Sequence, residues 1–235
     1  MTQSESQFML HDAKKLLEEL EYSYKNYLTE ESIPRELRNK IRYFLNNIES
    51  ALDYQAFDIF SRYCAKNVKP EKLEQHKKRV NFPLYSGKDW FNKKIDDTYP
   101  GLRTECPHII SAFEKCQPFP SGSSWLSRFN LLVNNNKHRN LTKQERKQTT
   151  HIGYMEDIFG NKIINCTFEG IGQPIVYGNT PVNFSNDKPH PYVKHLNATT
   201  YVDFVFKDID KSVLPTLEEI HTGASSVINE LEQNI

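Results

Sequence analysis

Between Pro34 and Ala65 the chain reads PRELRNKIRYFLNNIESALDYQAFDIFSRYCA, with no glycine and with its single proline at the start. Large apolar residues recur in this segment every three or four positions, which is the period of an α-helix with one buried face. Ser32 is the predicted N-cap, and a proline is well tolerated in the first helical turn. At 1.5 Å per residue, the pattern predicts one helix roughly 45 Å long. The apolar positions are Leu37, Ile41, Phe44, Leu45, Ile48, Leu52, Ile59 and Tyr63.

A second amphipathic helix is predicted over residues 8–28, with apolar and aromatic side chains on one face and Glu and Lys opposite. Only the short segment TEESIP separates the two helices, and this arrangement is typical of an antiparallel helical bundle. Shorter helices are predicted over residues 88–95 and 107–116, followed by a helix that begins near Trp125. The tetrapeptide Phe82-Pro83-Leu84-Tyr85 contains a proline and predicts an extended loop that anchors on the bundle.

The sequence pattern changes after about residue 150. Residues 162–168 and 201–206 are rich in β-branched and aromatic residues, and glycines and prolines lie between them, which predicts three to five antiparallel strands. A last helix is predicted from near Pro215, with Ser212 as its cap, packing back on the bundle or the sheet. The predicted fold is therefore α+β: a bundle of four or five helices, a small antiparallel sheet and a C-terminal helix. We predict a helical bundle domain over residues 1–148 and a sheet subdomain with the C-terminal helix over residues 149–235.

Composition narrows the class of protein. The 30 Lys and Arg balance the 30 Asp and Glu, so no global field attracts the chain to nucleic acid or to a membrane. No apolar run has the length of a membrane span, and the start MTQSESQF lacks the pattern of a signal peptide, so we expect a soluble cytoplasmic protein without membrane partners. The four cysteines are scattered, which predicts reduced thiols and no metal site. The motifs of the common nucleotide-binding and hydrolase classes are absent, and no cofactor is predicted.

The candidate site lies at the end of the Trp125 helix, where the chain reads WLSRFNLLVNNNKHRNLT over residues 125–142. An apolar stripe at helical spacing runs directly into three asparagines and then into Lys137, His138 and Arg139. Cations at the end of a helix are favoured by the helix dipole, which gives the cluster a purely structural interpretation. If the cluster is buried, its charges need partners, and Asp53 or Glu49 on the long helix would supply them.

Two functional interpretations remain beside the structural one. In a metal-independent ribonuclease site, His138 would transfer the 2′-hydroxyl proton, and Arg139 or Lys137 would stabilise the charge on the phosphate. Asn134 and Asn135, one turn earlier, would orient the substrate. Alternatively, the same residues bind a ligand or RNA without chemistry. The pattern favours the structural interpretation over binding, and binding over catalysis.

Other candidate sites are weaker. Basic residues cluster over residues 66–79 and 143–147, but Glu71, Glu74 and Glu145 interrupt both runs, which favours a solvated, salt-bridged surface over a phosphate-binding patch. His190 and His195 lie five residues apart in a proline-containing segment, which is poor spacing for a metal site.

Three segments together resemble a family of bacterial and phage proteins of uncharacterised function. Residues 47–54 (NIESALDY) are similar to the N-L-R-S-A-L-D-H stretch of that family, and Phe82-Pro83-Leu84 is similar to its F-P-I element. The helix from Trp125-Leu126 through Asn134, Lys137, His138 and Arg139 resembles its W-L-x-x-L-x-x-L-x-N-x-D-K-H-R helix. The C-terminal strand and helix are similar as well. We associate this family with HEPN-like helical bundles.

The resemblance implies a HEPN-like module that binds RNA or protein, in phage defence or in a mobile element, and a homodimer is a separate expectation. A metal-independent endoribonuclease using His138 and Arg139 is the alternative, and a structural or scaffolding subunit is a third. The chain departs from the family at Glu49 and Tyr54, where many members have Arg and His. The R-x(4–6)-H signature of HEPN ribonucleases is missing from the expected helix, although Arg103–His108 and Arg146–His151 match its spacing near predicted helix-to-loop junctions. Whether the protein is an enzyme stays open.

Overall fold

The computed structural model describes residues 4–27, 33–121, 124–138, 143–170, 175–184 and 190–233, except the side chains of residues 120, 121, 124, 137 and 138. The chain divides into two compact units, one within residues 1–24, 34–142 and 214–235 and one within residues 25–33 and 143–213. The first is helical and the second carries the strands, so the predicted α+β class, dominated by helices, is confirmed. The second unit resumes at Lys143, six residues before the predicted start of the sheet subdomain at residue 149.

Helices α1 to α8 of the first unit follow one another along the chain, and the strands of the second unit lie between α8 and α9. They are α1 (Glu5–Tyr24), α2 (Arg35–Ile59), α3 (Pro70–Lys77), α4 (Lys88–Thr98), α5 (Leu102–Glu105), α6 (Pro107–Lys115), α7 (Pro118–Ser121), α8 (Ser124–His138) and α9 (Val213–Gln233), of which α9 belongs to this unit from Leu214 on. Lys40 Nζ of α2 lies 2.5 Å from Glu19 Oε2 of α1, close to the ends that the chain connects, so the pair is antiparallel. Most of the apolar face of each helix is buried, as the period predicts, although Phe8 of α1 is 48% exposed.

The long predicted helix changes helix type near its C-terminal end. Residues Phe60–Cys64 form a π-helical turn and Ala65–Asn67 a 3₁₀ turn, so the backbone stays helical past the predicted end at residue 65. His76 of α3 stacks on Phe60 with ring centroids 5.2 Å apart and its Nε2 donates to the carbonyl oxygen of Thr98 at 2.8 Å. The ring contact packs α3 on the π-helical turn, and the hydrogen bond joins α3 to the end of α4.

Helix α9 packs on the first unit through contacts with three other helices. Gln7 Nε2 of α1 donates to Asn229 Oδ1 at 2.9 Å, and His221 Nε2 donates to the carbonyl oxygen of Leu10 at 3.1 Å. Glu230 pairs with Lys115 of α6 at 2.5 Å. Gly223 has no room for a side chain, because an added Cβ would lie 2.4–2.6 Å from ring carbons of Trp125 on α8.

The second unit contains an antiparallel sheet of four strands in the order β2-β1-β5-β6 and a separate hairpin, β3–β4, within the described residues. The strands are β1 (Gln144–Asp157), β2 (Lys162–Glu169), β3 (Val176–Tyr177), β4 (Thr180–Pro181), β5 (Val193–Phe206) and β6 (Lys211–Ser212). Ile152 and Met155 of the sheet form a buried cluster with Val182 and Phe184, which follow the hairpin. Residues 162–168 and 201–206 lie in β2 and β5 as predicted, whereas β1 is not among the predicted strands.

Within these described ranges, none of the helices combines the length and the apolar character that a membrane crossing requires.

Candidate functional site

A cleft of about 390 Å³ in the first unit contains two of the predicted binding residues. Helix α8 buries its apolar stripe, including Leu126, Phe129 and Leu132, against the core, and this leaves another face of the helix to line the cleft. The opposite wall comes from the segment after Phe82 and from the start of α7. The lining residues are Tyr85, Ser86, Pro118, Leu126, Ser127, Asn130, Leu131, Asn134 and Asn135.

Side-chain amides dominate the polar lining of this cleft. Asn134 Nδ2 donates to Asn130 Oδ1 at 2.9 Å, as expected for neighbours one helical turn apart. An amide has two donor hydrogens and an acceptor oxygen, so this bond leaves Asn130 Nδ2 and Asn134 Oδ1 as a donor and an acceptor for a ligand. Both side chains are exposed, and Asn135 beside them is half-buried. The wall formed by α8 therefore offers a paired donor and acceptor without a formal charge.

The opposite wall is held in place by the side chain of Gln117, which is completely buried. Its Nε2 donates to the carbonyl oxygens of Pro83 at 2.8 Å and Phe113 at 3.0 Å, and its Oε1 accepts from the backbone N–H of Tyr85 at 2.9 Å. Phe82, also buried, packs edge-on against Phe113 with ring centroids 5.4 Å apart. The predicted extended loop is thus fixed to the bundle by hydrogen bonds at both of its ends.

Tyr85 is the aromatic residue of the cleft. Its ring packs edge-on against Phe91 of α4, with ring centroids 6.2 Å apart. Burial raises the pKa of Tyr85 above its ordinary value of 10.0, and a hydrogen bond with Thr98 opposes that rise only in part. The phenol is therefore neutral at physiological pH and has a fixed position beside the amides of α8.

Asp53 acts on the loop that forms this wall. Its Oδ1 accepts from the backbone N–H of Phe82 at 2.8 Å. Glu49 lies one turn earlier on α2 and is half-buried. The predicted pairing of either carboxylate involves His138 or Arg139, whose side chains are outside the described part of the structure. The side chain of Lys137 is outside it as well. The structure thus brings Asn134 and Asn135 together in the cleft and places Asp53 behind the opposite wall.

Of the two Arg–His pairs of HEPN-like spacing, Arg103–His108 spans the break between α5 and α6, whereas Arg146–His151 does not lie at the predicted helix-to-loop junction. Arg146 and His151 both belong to β1, and a separation of five residues places them on opposite faces of the strand, roughly 17 Å apart along it. Arg103 of α5 forms an exposed ion pair with Asp96, with 2.9 Å between Nε and Oδ1. The spacing of Arg146 and His151 therefore does not produce a shared site.

The basic segments form ion pairs with neighbouring carboxylates. Lys66 Nζ lies 2.6 Å from Glu105 Oε2, and Lys77 Nζ lies 2.7 Å from Glu74 Oε1. In the second unit, Lys147 pairs with Asp210. Exposed pairs of this kind contribute little to stability, but they reduce the net positive charge that a phosphate backbone would meet.

Two thiols in the helical unit are unsuited to nucleophilic chemistry at neutral pH. Burial raises the pKa of Cys64 and of Cys116 to about 12, so both stay protonated. In the described part of the chain, no three His, Cys, Asp or Glu side chains converge as a group that could hold a metal ion.

No protein-family model, curated protein or solved structure matches this chain.

Sequence reasoning missed Gln117 and Asn130, both of which shape the cleft. Gln117 lies between Cys116 and Pro118 and resembles an ordinary residue at the end of a helix. Its partners in the loop, Tyr85 and Pro83, lie 32 and 34 residues earlier in the chain, so no local pattern identifies it. Asn130 does carry a signal, because it precedes Asn134 by one helical turn and so lies on the same face of the helix.

Proposed function

We propose that this protein is a HEPN-like module that binds single-stranded RNA in the cleft of α8 without cleaving it. The observation that carries the proposal is the pairing of Asn130 and Asn134 on one wall with the fixed ring of Tyr85 on the other. Sequence-specific RNA recognition uses unstacked bases, which pack on aromatic rings and form hydrogen bonds through their edges. An amide donor and acceptor match the edge of an adenine base.

The chain itself supplies cations next to these amides. Lys137 and Arg139 follow Asn134–Asn136 directly in the sequence, and RNA binding requires positive charge near the phosphates. The balanced overall charge makes a local group of cations the only electrostatic attraction for a nucleic acid. A protein partner for the same cleft would not need these cations, and this difference separates the two kinds of partner.

The proposal keeps the setting that the resemblance implies, phage defence or a mobile element, and the separate expectations of a cytoplasmic location and a homodimer. The alternative activity is metal-independent RNA cleavage by His138 with Arg139. Both functions use the same end of α8, so one set of variants tests them together.

The test measures the affinity of fluorescein-labelled 12-nucleotide RNAs, each of a single base, by fluorescence anisotropy at several salt concentrations. We expect the oligo-adenylate to bind most tightly, with an affinity that falls steeply as salt rises. Asn130→Ala and Asn134→Ala should each weaken binding about five- to tenfold. Asn39→Ala on α2 makes the same chemical change outside the cleft and should leave the affinity unchanged. Lys137→Ala should reduce the slope of log affinity against log salt concentration by about one, as expected for the loss of one phosphate contact.

Three outcomes would contradict the proposal. Absent or salt-insensitive RNA binding would remove RNA as the ligand and favour a protein partner. Equal binding by the two cleft variants and the Asn39 control would separate RNA binding from the cleft. RNA cleavage in EDTA that is lost in His138→Ala, with the melting temperature unchanged, would establish the endoribonuclease instead.

A further inference from the structure

A second and larger concavity, of about 740 Å³, lies in the first unit between α6, α8 and α9. Its residues on α9 recur every three or four positions from Pro215 to Glu230, so the concavity follows this helix for about 22 Å. We call it the α9 groove. It is lined by Ala112, Lys115, Cys116 and Trp125, and on α9 by Pro215, Glu218, Glu219, Thr222, Gly223, Ser226, Val227 and Glu230.

The floor of the α9 groove is apolar and made mostly of small residues. Ala112 and Val227 are buried there, and Trp125 is half-buried against Gly223. An aromatic ring beside small residues offers a flat apolar surface on which the side chains of a partner helix can pack. This length and shape suit an amphipathic helix, which binds through apolar residues on successive turns.

The charged residues of the α9 groove are mainly acidic. Three glutamates and one lysine line it, and two of the glutamates already have cationic partners: Glu230 pairs with Lys115 at 2.5 Å and Glu219 with Arg128. Glu218 is exposed, and no cation in the described part of the chain pairs with it. The groove therefore contains both a carboxylate whose charge is not neutralised and an aromatic ring, and a Lys or Arg side chain complements either.

We propose that the α9 groove binds a basic amphipathic helix of a partner protein. Apolar residues of that helix pack on Trp125 and Val227, and its Lys or Arg residues lie at Glu218. This inference does not depend on the proposed RNA binding, because the groove and the RNA cleft have no lining residue in common.

The probe is a synthetic, capped 18-residue helical peptide of leucine and lysine, with leucines at helical spacing and without aromatic residues. A matched peptide carries glutamate in place of every lysine. Trp90, on α4 beside Lys93 and Lys94, does not line the groove, and Trp90→Phe leaves Trp125 as the only tryptophan. Trp125 emission then reports occupation of the groove, and anisotropy of the labelled peptide gives the affinity.

We expect saturable binding of the lysine peptide, a change in Trp125 emission and no binding of the glutamate peptide. Glu218→Gln should weaken binding about three- to fivefold, the size expected for an exposed ion pair, and Glu218→Lys more than tenfold. Glu71→Gln removes the same charge from an exposed position on α3 and should have no effect. Thr222→Trp, at an exposed position in the groove, should block binding while circular dichroism shows an intact fold.

Equal affinity for the lysine and glutamate peptides would overturn the proposal, as would unchanged affinity in Glu218→Lys. Failure of the lysine peptide to bind would do the same. Self-association that Thr222→Trp abolishes would assign the groove to a second copy of this chain and would also overturn it. None of these outcomes affects the RNA assay, whose variants lie in the other cleft.

Discussion

Replacing Gln117 by leucine keeps the approximate size of the side chain and removes all of its hydrogen bonds. The carbonyl oxygen of Pro83 and the backbone N–H of Tyr85 then lose the partners that lie 2.8 and 2.9 Å away. A buried backbone group without a partner costs about 1–3 kcal/mol. Pro83 is buried and Tyr85 half-buried, so we expect Gln117→Leu to lower the free energy of unfolding by about 2–4 kcal/mol.

Urea unfolding followed by circular dichroism measures this loss. With a slope of about 2–3 kcal/mol per molar urea, the midpoint should fall by roughly 1 M. Gln75→Leu on α3, where the side chain is exposed, is the control and should shift the midpoint little. Gln117→Glu should cost more at neutral pH, because a carboxylate oxygen would face the carbonyl oxygens of Pro83 and Phe113. That additional loss should shrink at acid pH, where a protonated carboxyl can donate one hydrogen bond.

An unchanged midpoint in Gln117→Leu would refute this reasoning, since it would mean that water satisfies the loop as well as Gln117 does. Because Gln117 fixes the wall that holds Tyr85, the same variant should also weaken RNA binding if the proposed function is correct. That loss should leave the salt dependence unchanged, because no charge is removed.

Gly223→Ala should lower the urea midpoint, because the new Cβ would lie 2.4–2.6 Å from the ring of Trp125 and overpacking costs about 1–3 kcal/mol. A higher midpoint would instead show that the ring moves aside and that the greater helix propensity of alanine prevails. Burial lowers the pKa of His221 below 6.5, although the hydrogen bond to the carbonyl oxygen of Leu10 opposes the shift. On acidification the unfolded chain therefore takes up the proton first, and the free energy of unfolding should fall as the pH drops through about 6.5. His221→Gln keeps a donor without titrating and should flatten that part of the pH profile. Burial raises the pKa of Asp157, but hydrogen bonds from Asn161, Tyr177 and backbone N–H groups lower it more, so the net shift is below 3.8. The stability that the ionised Asp157 contributes is therefore complete above pH 3.8 and is lost as the pH falls through the folded-state pKa. Asp157→Asn should lower the stability of the sheet unit at neutral pH and remove that acid-side loss, as measured by urea unfolding at several pH values.

The helices were predictable from sequence because their apolar period is local. Residues 34–65 and 107–116 became helices close to the predicted bounds, since burial of one face needs only the spacing of side chains along the chain. The π-helical turn at Phe60–Cys64 was not predictable, because FSRYC contains no proline or glycine to mark a change of helix type.

Strand β1 was not predictable from the local hydrophobic pattern. Its first half, QERKQTT, contains no apolar residue, so hydrophobic alternation gives no signal. Residues 144–148 become a strand because they pair with β5, and from Thr149 on β1 pairs with both β2 and β5. The partners of β1 come later in the chain, at a distance that a sequence window does not include.

The candidate site was predictable only in part, for the same reason. Asn134 and Asn135 were identified from composition, and they do line the cleft. Asp53 was expected to pair with a cation at the end of the Trp125 helix, where the cationic side chains lie outside the described residues, and the structure shows that its carboxylate accepts from the backbone N–H of Phe82. A carboxylate on a helix has many potential partners, and only the tertiary arrangement selects among them.

The order of the elements along the chain has a consequence for biosynthesis. Helix α1 forms hydrogen bonds with α9, from Gln7 to Asn229 and from His221 to Leu10, across more than two hundred residues. A ribosome must therefore translate beyond residue 229 before the first helix can complete these contacts, whereas all strands of the sheet have been synthesised by residue 212. Helix α2 is complete by residue 59 and can cover α1 early, so the part of α1 that waits for the end of synthesis is the side that carries Gln7 and the carbonyl oxygen of Leu10.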